Sequence, residues 1–309
     1  MDIEQPSKFW EELAEAHRRD LERYGTDTCK RHQALRYFTW RWNWASIRRS
    51  EQMRFLLTHS SPATLLRSAV ERADLSDRAW AGIDWPKRDR WLYVFATRLL
   101  WTYAARTDEV GTTHLREPSL GSPLPVERRG RLISQDLANS ALEVGAVARA
   151  LSGRQPRSIL EIGAGYGRTA YALLHLFPEA TYTVIDIDPA LQISRWYLSR
   201  LFPPDRLRFL KPAEAGTIED GSVDLAVSIS SLQEMTQEQV ASYITVMDRV
   251  SARGVVYLKQ WLRWLNPADG IELSFSDYPV PAHWRPVLRE RAPVQTDFWQ
   301  AAWLVEQQR

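Results

Sequence analysis

Up to about residue 110, the hydrophobic positions of the chain recur with the spacing of amphipathic helices. The first apolar stripe ends before Gly25, which is a natural helix stop; it consists of Phe9, Trp10, Leu13, His17, Leu21 and Tyr24. The same spacing predicts further helices at Gln33–Ile47, Glu51–His59, Pro62–Ala73 and Arg90–Arg106. We therefore predict an all-helical N-terminal domain and assign residues 1–130 to it.

Beyond residue 131 the pattern changes to short apolar runs that alternate with helical stretches. A helix is predicted over Ser134–Ser152, and it leads into a strand that ends near Ile162. Later strands are predicted at 181–185, 206–210, 223–229 and 253–259, helices at 168–177 and 236–250, and β candidates at 271–275, 286–290 and 298–305. Alternating strands and helices indicate a mostly parallel sheet, to which the last stretch adds an antiparallel edge. The predicted fold class is α/β, with a Rossmann-like domain over 131–309 and a proline- and glycine-rich linker or loop at 117–131.

A glycine-rich turn follows the first of these strands, in the run Ile159-Leu-Glu-Ile-Gly-Ala-Gly-Tyr-Gly-Arg168. Glycine lets a backbone adopt positive φ and lets a ligand approach closely. A dinucleotide-binding fingerprint needs its third glycine three residues after the second, where this chain has Arg168. Alternate glycines preceded by Glu161 instead match motif I of the class I S-adenosylmethionine-dependent methyltransferases. A plain tight connection between strand and helix is the alternative.

A second acid supports a nucleoside-type cofactor. Asp186 ends the second strand about twenty residues beyond the glycines, where a ribose diol is bound in related folds. Glu161 can attract the ammonium of the ligand's amino-acid end. The predicted cofactor is S-adenosylmethionine, and the residues predicted to contact it are Glu161, Gly163, Ala164, Gly165, Gly167, Asp186, Ile187, Ser134, Glu214 and Ser230.

Several further stretches resemble the sugar O-methyltransferases of bacterial polysaccharide and natural-product clusters. They are Leu115–Gly121, Arg131–Ser140, Asp186–Leu191, Ser228–Met235, Tyr257–Trp261, Asp277–Pro281 and Ala292–Phe298. The resemblance covers residues 110–305. It implies O-methylation of a hydroxyl on a sugar or small natural-product intermediate. One departure stands out: the family pattern usually has histidine where this chain has Gln233, and glutamine cannot serve as a base.

Methyl transfer to a hydroxyl requires that one proton be removed. The candidate bases are Glu234, Asp136 and Glu117, although any of them can instead be a cap or an ion-pair partner. Gln233 lies in the stretch expected to face the acceptor, and Lys259 with Gln260 are candidate hydrogen-bond donors to it. Because His114 and His283 are isolated and no acidic or histidine cluster has metal-ligand spacing, we predict a metal-independent site.

Net charge, cysteine content and hydropathy limit the partners, cross-links and cellular location that we expect. Forty basic residues against 38 acidic ones give a net charge of +2, which offers no strong electrostatic case for nucleic acid or an anionic membrane. Cys29 is the only cysteine, so an internal disulfide and a cysteine-cluster metal site are excluded. No apolar run reaches membrane-spanning length, and the first residues do not have the pattern of a signal peptide. We expect a cytoplasmic protein.

Two other functions stay open. Gln233 motivates a methyltransferase fold repurposed for a cyclisation or elimination in a biosynthetic pathway. Eight of the fourteen tryptophans precede residue 150, including Trp40, Trp42 and Trp44, and this aromatic face could pair a non-catalytic subunit with a second polypeptide. An aromatic stripe is more often core, though aromatic faces also suit sugar rings. The expected partner is a small hydroxylated metabolite, and a homo-oligomer or a second biosynthetic subunit is possible.

Overall fold

A computed structural model of the protein describes residues 7–31, 47–267 and 270–306. The chain divides into two compact units. The sheet unit comprises residues 1–19 and 146–309, and the helical unit comprises residues 20–145. These bounds differ from the division at residue 130 expected from the sequence, because the start of the first helix belongs with the sheet and residues 131–145 belong with the helices.

The N-terminal half of the described chain is helical, as predicted. Its helices are α1 (Lys8–Tyr24), α2 (Glu51–Thr58), α3 (Pro62–Val70), α4 (Lys87–Thr107) and α5 (Gln135–Leu151). The Ser50 and Ser61 side chains cap the amino ends of α2 and α3 by accepting backbone N–H groups. Within the helical unit α4 packs against α2 and α3. Most of the predicted helix Gln33–Ile47, together with Trp40, Trp42 and Trp44, lies outside the described residues.

The stretch predicted as a linker contains a β-hairpin. Strands β1 (Val126–Arg128) and β2 (Arg131–Ile133) pair antiparallel. Arg129 and Gly130 connect them with φ values of 53° and 71°. Two successive positive φ values are those of a tight two-residue hairpin turn, for which Asn-Gly is the usual sequence. The linker prediction was wrong for these residues because Arg-Gly is not a strong hairpin signal.

The sheet unit has a seven-stranded mixed sheet. In chain order, the strands and helices of this unit are β3 (Ser158–Ile162), α6 (Arg168–Leu176), β4 (Thr181–Ile185), α7 (Ala190–Leu198), β5 (Leu207–Leu210), β6 (Leu225–Ile229), α8 (Gln237–Val250), β7 (Val255–Trp261), β8 (Arg263–Leu265), β9 (Glu272–Ser274), β10 (Trp284–Arg291) and β11 (Phe298–Val305). Strands β8 and β9 form a separate two-stranded ribbon. The strand order is β10-β11-β7-β6-β3-β4-β5. Strands β5, β4, β3, β6 and β7 are parallel, whereas β11 and β10 are antiparallel. The predicted α/β fold with an antiparallel edge is confirmed.

Burial follows the strand pattern. All five residues of β6 are buried, and so are four of the five in β3, as expected for central strands covered on both faces. Trp10 of α1 belongs to the same hydrophobic core as Leu160, Val256 and Trp303. Full burial of a large apolar side chain stabilises a fold by about 1.5–3 kcal/mol. The amino-terminal turn of α1 is therefore an integral part of the sheet unit.

The topology determines where a ligand can bind. Strand β3 lies between β4 and β6, so the connections leave it toward opposite sides of the sheet. In open α/β sheets this switch point forms a crevice at the carboxyl ends of the strands. Three loops meet at that edge: the glycine turn after β3, the acid after β4, and residues 230–235 after β6.

Candidate cofactor and active site

The glycine turn after β3 has the backbone conformation predicted from the sequence. Gly163, Gly165 and Gly167 have φ values of 77°, 59° and 96°. A Cβ added at Gly165 would meet no atom within 4 Å, so this face of the turn is open to a ligand. The Gly165 N–H donates a hydrogen bond of 3.0 Å to Asp186 Oδ2, which ties the turn to the end of β4.

The other two glycines are closely packed. A Cβ at Gly163 would lie 2.0 Å from Ser231 Oγ, and one at Gly167 would lie 2.9 Å from Leu198 Cγ. Because Gly163 has no side chain, the loop after β6 can pack closely against the glycine turn. The lack of a side chain at Gly167 lets α7 do the same. Their predicted contact with the cofactor stays a prediction. Ser231 was not singled out from the sequence, because nothing local indicates that its side chain crosses to the turn.

Asp186 is a buried carboxylate at the expected position. It is 5% exposed, and it accepts the N–H groups of Ile187 at 2.8 Å and Gly165 at 3.0 Å. Burial raises its pKa to about 7, although these backbone donors hold the pKa down. A carboxylate offers about four lone-pair positions, so the Asp186 carboxylate keeps acceptor capacity for a hydroxyl donor beside its backbone donors. Open space over Gly165 and an acid beside it fit the ribose and amino-acid parts of S-adenosylmethionine.

The remaining cofactor candidates have mixed surroundings. Glu161 is buried and accepts a hydrogen bond of 2.8 Å from the Tyr182 hydroxyl; burial, followed by the Glu161 charge, raises the pKa of that phenol. Ala164 is buried beside the turn, and Ile187 is partly buried. Glu214 is exposed and accepts the N–H of Lys211 as a cap of its own short turn. Whether these side chains bind the cofactor stays a prediction.

Two buried glutamines hold the loop after β6. Gln233 Nε2 donates to Ser230 Oγ at 2.7 Å, and Gln233 Oε1 accepts the Trp261 N–H at 3.0 Å. Gln260 Oε1 accepts the Ser231 N–H at 3.1 Å. Ser230 has a φ of 57°, an uncommon value for a residue with a side chain. The loop is therefore fixed by side-chain amides at a strained turn.

Glu234 follows directly, and its carboxyl group is buried. The Trp10 indole Nε1 donates to Glu234 Oε2 at 3.2 Å, and the Ser7 hydroxyl donates to the Glu234 carbonyl at 2.7 Å. Burial raises the pKa of Glu234 to about 8; the Trp10 hydrogen bond opposes this rise, and the Asp186 charge adds to it. A carboxylate with a pKa near the working pH is suited to accept a proton.

Two tyrosine hydroxyl groups interact electrostatically with the carboxyl groups of Asp186 and Glu234. Burial raises the pKa of Tyr278, and the Glu234 charge raises it further. Burial also raises the pKa of the Tyr243 hydroxyl, and the Asp186 charge adds to that rise. We call Asp186, Glu234, Tyr243 and Tyr278 the acid cluster. It joins the ends of β4 and β6 in one low-dielectric region of the sheet unit.

The end of β7 contributes a cation among aromatic rings. Lys259 is buried, and its Nζ donates to Gln295 Oε1 and lies 5.3 Å from the centre of the Phe298 ring. Trp261 and Phe298 have ring centres 4.7 Å apart, and Trp261 and Trp264 have ring centres 5.5 Å apart. Among the described residues, no hydrogen-bond acceptor is found for the buried Trp261 Nε1. We call Trp261, Trp264 and Phe298 the aromatic group.

Comparison with known protein families finds a match for part of the chain. Residues 160–256 match the methyltransferase domain family. Within the chain, this segment is similar to a methyltransferase domain. The matched segment runs from β3 into β7 and so contains the glycine turn, Asp186 and Glu234. This match supports the predicted S-adenosylmethionine-dependent methyltransferase. Among curated proteins, no sequence matches the chain.

Solved structures of methyltransferases are similar to the chain at low identity. The 1,6-didemethyltoxoflavin-N1-methyltransferase of Burkholderia thailandensis is 17% identical over 55% of this chain and 77% of its own, with a TM-score of 0.43. A Nostoc punctiforme protein described as an O-methyltransferase is 12% identical over 82% and 72%, with a TM-score of 0.43. A Galdieria sulphuraria protein described as a sarcosine dimethylglycine methyltransferase is 19% identical, with a TM-score of 0.35. The match covers 42% of the present chain and 49% of the Galdieria protein, so the chain spans about half the length of that protein.

Three sequence-predicted site residues belong to the helical unit. Glu117 is buried there, where it pairs with Lys30 Nζ and accepts a hydrogen bond from Ser134 Oγ. Ser134 also caps α5 by accepting the Leu137 N–H at 2.9 Å. Asp136 lies in the first turn of α5 and is partly buried. The roles of Glu117 and Asp136 as bases, and of Ser134 at the cofactor of the methyltransferase domain, stay predictions.

Other candidates have structural explanations. His283 Nε2 and Trp284 Nε1 both contact Asp248 Oδ1, at 2.6 Å and 2.7 Å, which ties the start of β10 to α8. His114 lies in a short 3₁₀ turn of the helical unit. Within the described ranges, no group of three or more histidine, cysteine or acidic side chains is placed to hold a metal ion. None of the helices described has the length and apolar character needed to cross a membrane.

Proposed function

We propose that this protein transfers a methyl group from S-adenosylmethionine to a hydroxyl of a sugar or small natural-product intermediate, with Glu234 as the general base. The observation that carries this proposal is the environment of Glu234. It is a buried carboxyl group on the loop after β6, its pKa is raised to about 8, and it lies close enough to Asp186 for their charges to interact.

The cofactor would be held at the carboxyl ends of β3 and β4. The open face of Gly165 permits close approach of a ligand to the backbone, and the Asp186 carboxylate keeps acceptor positions for hydroxyl groups. S-adenosylmethionine supplies an electrophilic methyl group on a sulfonium. Since the surrounding loops are buried and hydrogen-bonded, the chain can contribute alignment of the acceptor and exclusion of water.

Glu234 would take the proton that the reaction releases. S-adenosylmethionine would supply the methyl group to the acceptor oxygen and would leave as the thioether, and the Glu234 carboxylate would accept the hydroxyl proton. A base works best when its pKa is close to the operating pH, because it is then both available and strong enough. Glu234 meets this condition, whereas the Gln233 amide is engaged with Ser230 and Trp261.

The end of β7 supports a sugar or polyol acceptor. Small-molecule sites combine apolar and aromatic walls with a few convergent polar groups. The aromatic group offers flat apolar faces, and Lys259 and Gln295 add a buried donor and a buried amide. Strand β7 is the neighbour of β6, so its carboxyl end lies at the same edge of the sheet as Glu234.

The decisive experiment replaces Glu234 by glutamine. General-base catalysis contributes about 10²–10⁴ to turnover, so we expect Glu234→Gln to lower kcat by that factor with S-adenosylmethionine affinity unchanged. Turnover is measured with isotopically labelled cofactor and a panel of sugars and hydroxylated metabolites, and affinity by calorimetry. Glu238→Gln, an exposed glutamate in the first turn of α8, is the matched control and retains wild-type turnover. Wild-type turnover in Glu234→Gln would contradict the assignment.

One observation favours a second function. A carboxyl group with a pKa of about 8 is mostly protonated at neutral pH, and in that form it is a general acid of the kind that a cyclisation or elimination uses. The same assay separates the two functions. If a substrate is converted while labelled methyl stays on the cofactor, the non-methylating function holds.

A further inference from the structure

The first turn of α1 makes two hydrogen bonds to a single residue far along the chain. Ser7 Oγ donates to the Glu234 carbonyl, and Trp10 Nε1 donates to the Glu234 carboxylate. Ser7 also accepts the Trp10 N–H at 3.3 Å and so begins the helix. The two donors are therefore held at a fixed spacing by the helix that carries them.

The Trp10 ring has little freedom to move. It is 7% exposed and packs in the sheet-unit core with residues such as Leu232 and Met235, which flank Glu234 on the loop after β6. A buried carboxyl group that accepts a fixed donor loses rotational freedom about its side chain. The indole N–H thus selects one orientation of the Glu234 carboxyl.

The bond leaves one carboxyl oxygen available. Trp10 occupies Oε2, and within the described part of the chain no hydrogen bond is found to Oε1. The ionisable groups that influence Glu234 are Asp186 and Tyr278, and neither is a cation. An N–H donated to a carboxylate favours its charged form, so Trp10 opposes the effect of burial on the Glu234 pKa.

We infer that Trp10 is a positioning residue for proton transfer: its indole N–H holds the Glu234 carboxyl so that Oε1 is directed to the acceptor hydroxyl. This inference rests on the proposed function of Glu234. It gives the N-terminal helix a role in the chemistry of the sheet unit. Trp10 acts through Glu234 and does not itself exchange the proton.

The test is Trp10→Phe, which keeps an aromatic ring and removes the N–H. We expect kcat to fall about tenfold and the acid limb of its pH profile to move up by about one unit, because the charged form of Glu234 loses a hydrogen bond. The KM for S-adenosylmethionine stays at the wild-type value. A purely structural tryptophan would lower stability without moving the pH profile.

Trp284→Phe is the matched control. Trp284 is 3% exposed and also donates its indole N–H to a carboxylate, that of Asp248, at 2.7 Å. This variant loses the same kind of bond in the same core, and we expect lower stability with an unshifted profile. Should Trp10→Phe fail to fold, Ser7→Ala removes the bond to the Glu234 carbonyl, and we expect it to lower kcat with the cofactor KM unchanged.

A second readout does not depend on methyl transfer. Infrared difference titration follows the Glu234 carboxyl band, which is identified by its loss in Glu234→Gln. We expect Trp10→Phe to raise the midpoint of that band, and an unchanged midpoint overturns the inference. If the wild type methylates no acceptor while the midpoint still moves, the proposed function fails and the positioning contact stands. If the wild type is active and both the profile and the midpoint are unmoved, the inference alone fails.

Discussion

The side-chain oxygen of Gln233 accepts the backbone N–H of Trp261 at 3.0 Å, and its nitrogen donates to Ser230 at 2.7 Å. The residue that departs from the sugar O-methyltransferase pattern therefore joins the loop after β6 to the end of β7. Both polar atoms of this buried amide are in use. Its neighbour Glu234, and not Gln233 itself, carries an ionisable group at this edge of the sheet.

The first prediction concerns the hydrogen bonds by which Gln233 links the loop after β6 to β7. We expect Gln233→Ala to lower the free energy of unfolding by about 1–3 kcal/mol, because it leaves buried polar groups of the loop and of β7 without partners. Denaturant titration measures the change. Gln192→Ala, at an exposed position of α7, is the control and is expected to stay within about 0.5 kcal/mol of the wild type. Equal stabilities of the two variants would show that these hydrogen bonds contribute nothing.

The second prediction concerns the open face of Gly165. We expect Gly165→Val to weaken S-adenosylmethionine binding about ten- to a hundredfold, since overpacking typically costs about 1–3 kcal/mol. Isothermal calorimetry measures the affinity. A side chain at a φ of 59° also lowers the free energy of unfolding of this variant by about 1–2 kcal/mol.

Gly153→Val separates these two effects. Gly153 has a φ of 84°, and an added Cβ there also meets no atom within 4 Å, but it precedes β3 and so lies toward the opposite edge of the sheet. We expect a similar loss of stability and unchanged cofactor affinity. Undiminished affinity in Gly165→Val would remove the cofactor from this turn.

The third prediction concerns Gly163 and Ser231. A Cβ at Gly163 would lie 2.0 Å from Ser231 Oγ, so Gly163→Ala forces the loop after β6 to shift. Ser231→Gly in the same chain removes the atom in the way. We expect a double-mutant cycle to give a favourable coupling of about 0.5–3 kcal/mol, measured by denaturant unfolding. Additive effects of the two substitutions would contradict the close approach.

The fourth prediction is a dependence of stability on pH. The pKa values of Asp186 and Glu234 rise on folding, from 3.8 and 4.5 to about 7 and about 8. The folded protein therefore retains protons that the unfolded chain releases, so this stabilisation is complete below the unfolded values and is lost as pH rises through 7 and 8. We expect the free energy of unfolding to fall as pH rises from 3.8 to about 8, the range bounded by these values, and to level off above it. The decline is expected to be shallower in Glu234→Gln, and parallel curves would refute the assignment.

Much of the sheet unit could be predicted from the sequence because its signals are local. The buried strand before Gly163, the acid at Asp186 and the alternation of strands with helices are each contained within short windows. The structure places them as expected, and the positive φ values of the glycine turn agree with the choice of glycine there. The hairpin with the Arg129-Gly130 turn was missed, because Arg-Gly is a weak hairpin signal and each strand has only three residues.

The contacts around the candidate base could not be predicted in this way. Trp10 was assigned to an apolar stripe, and helical spacing describes the face of a ring but not the partner of its indole N–H. Ser231 and Gly163 lie on separate loops, so their approach depends on the order of strands β3 and β6. The surroundings of Glu234 combine residues from the start of α1, from β6 and from the loop before β10, which only the assembled fold brings together.

The long separation between Trp10 and Glu234 also bears on how the polypeptide matures during synthesis. The two residues are 224 positions apart, and the whole helical unit is translated between them. At typical elongation rates Trp10 waits on the order of tens of seconds for its acceptor to leave the ribosome. Until then the first turn of α1 has no sheet to pack against. The Trp10–Glu234 hydrogen bond therefore forms late in biogenesis, and a nascent chain that has already formed its helical unit still lacks it.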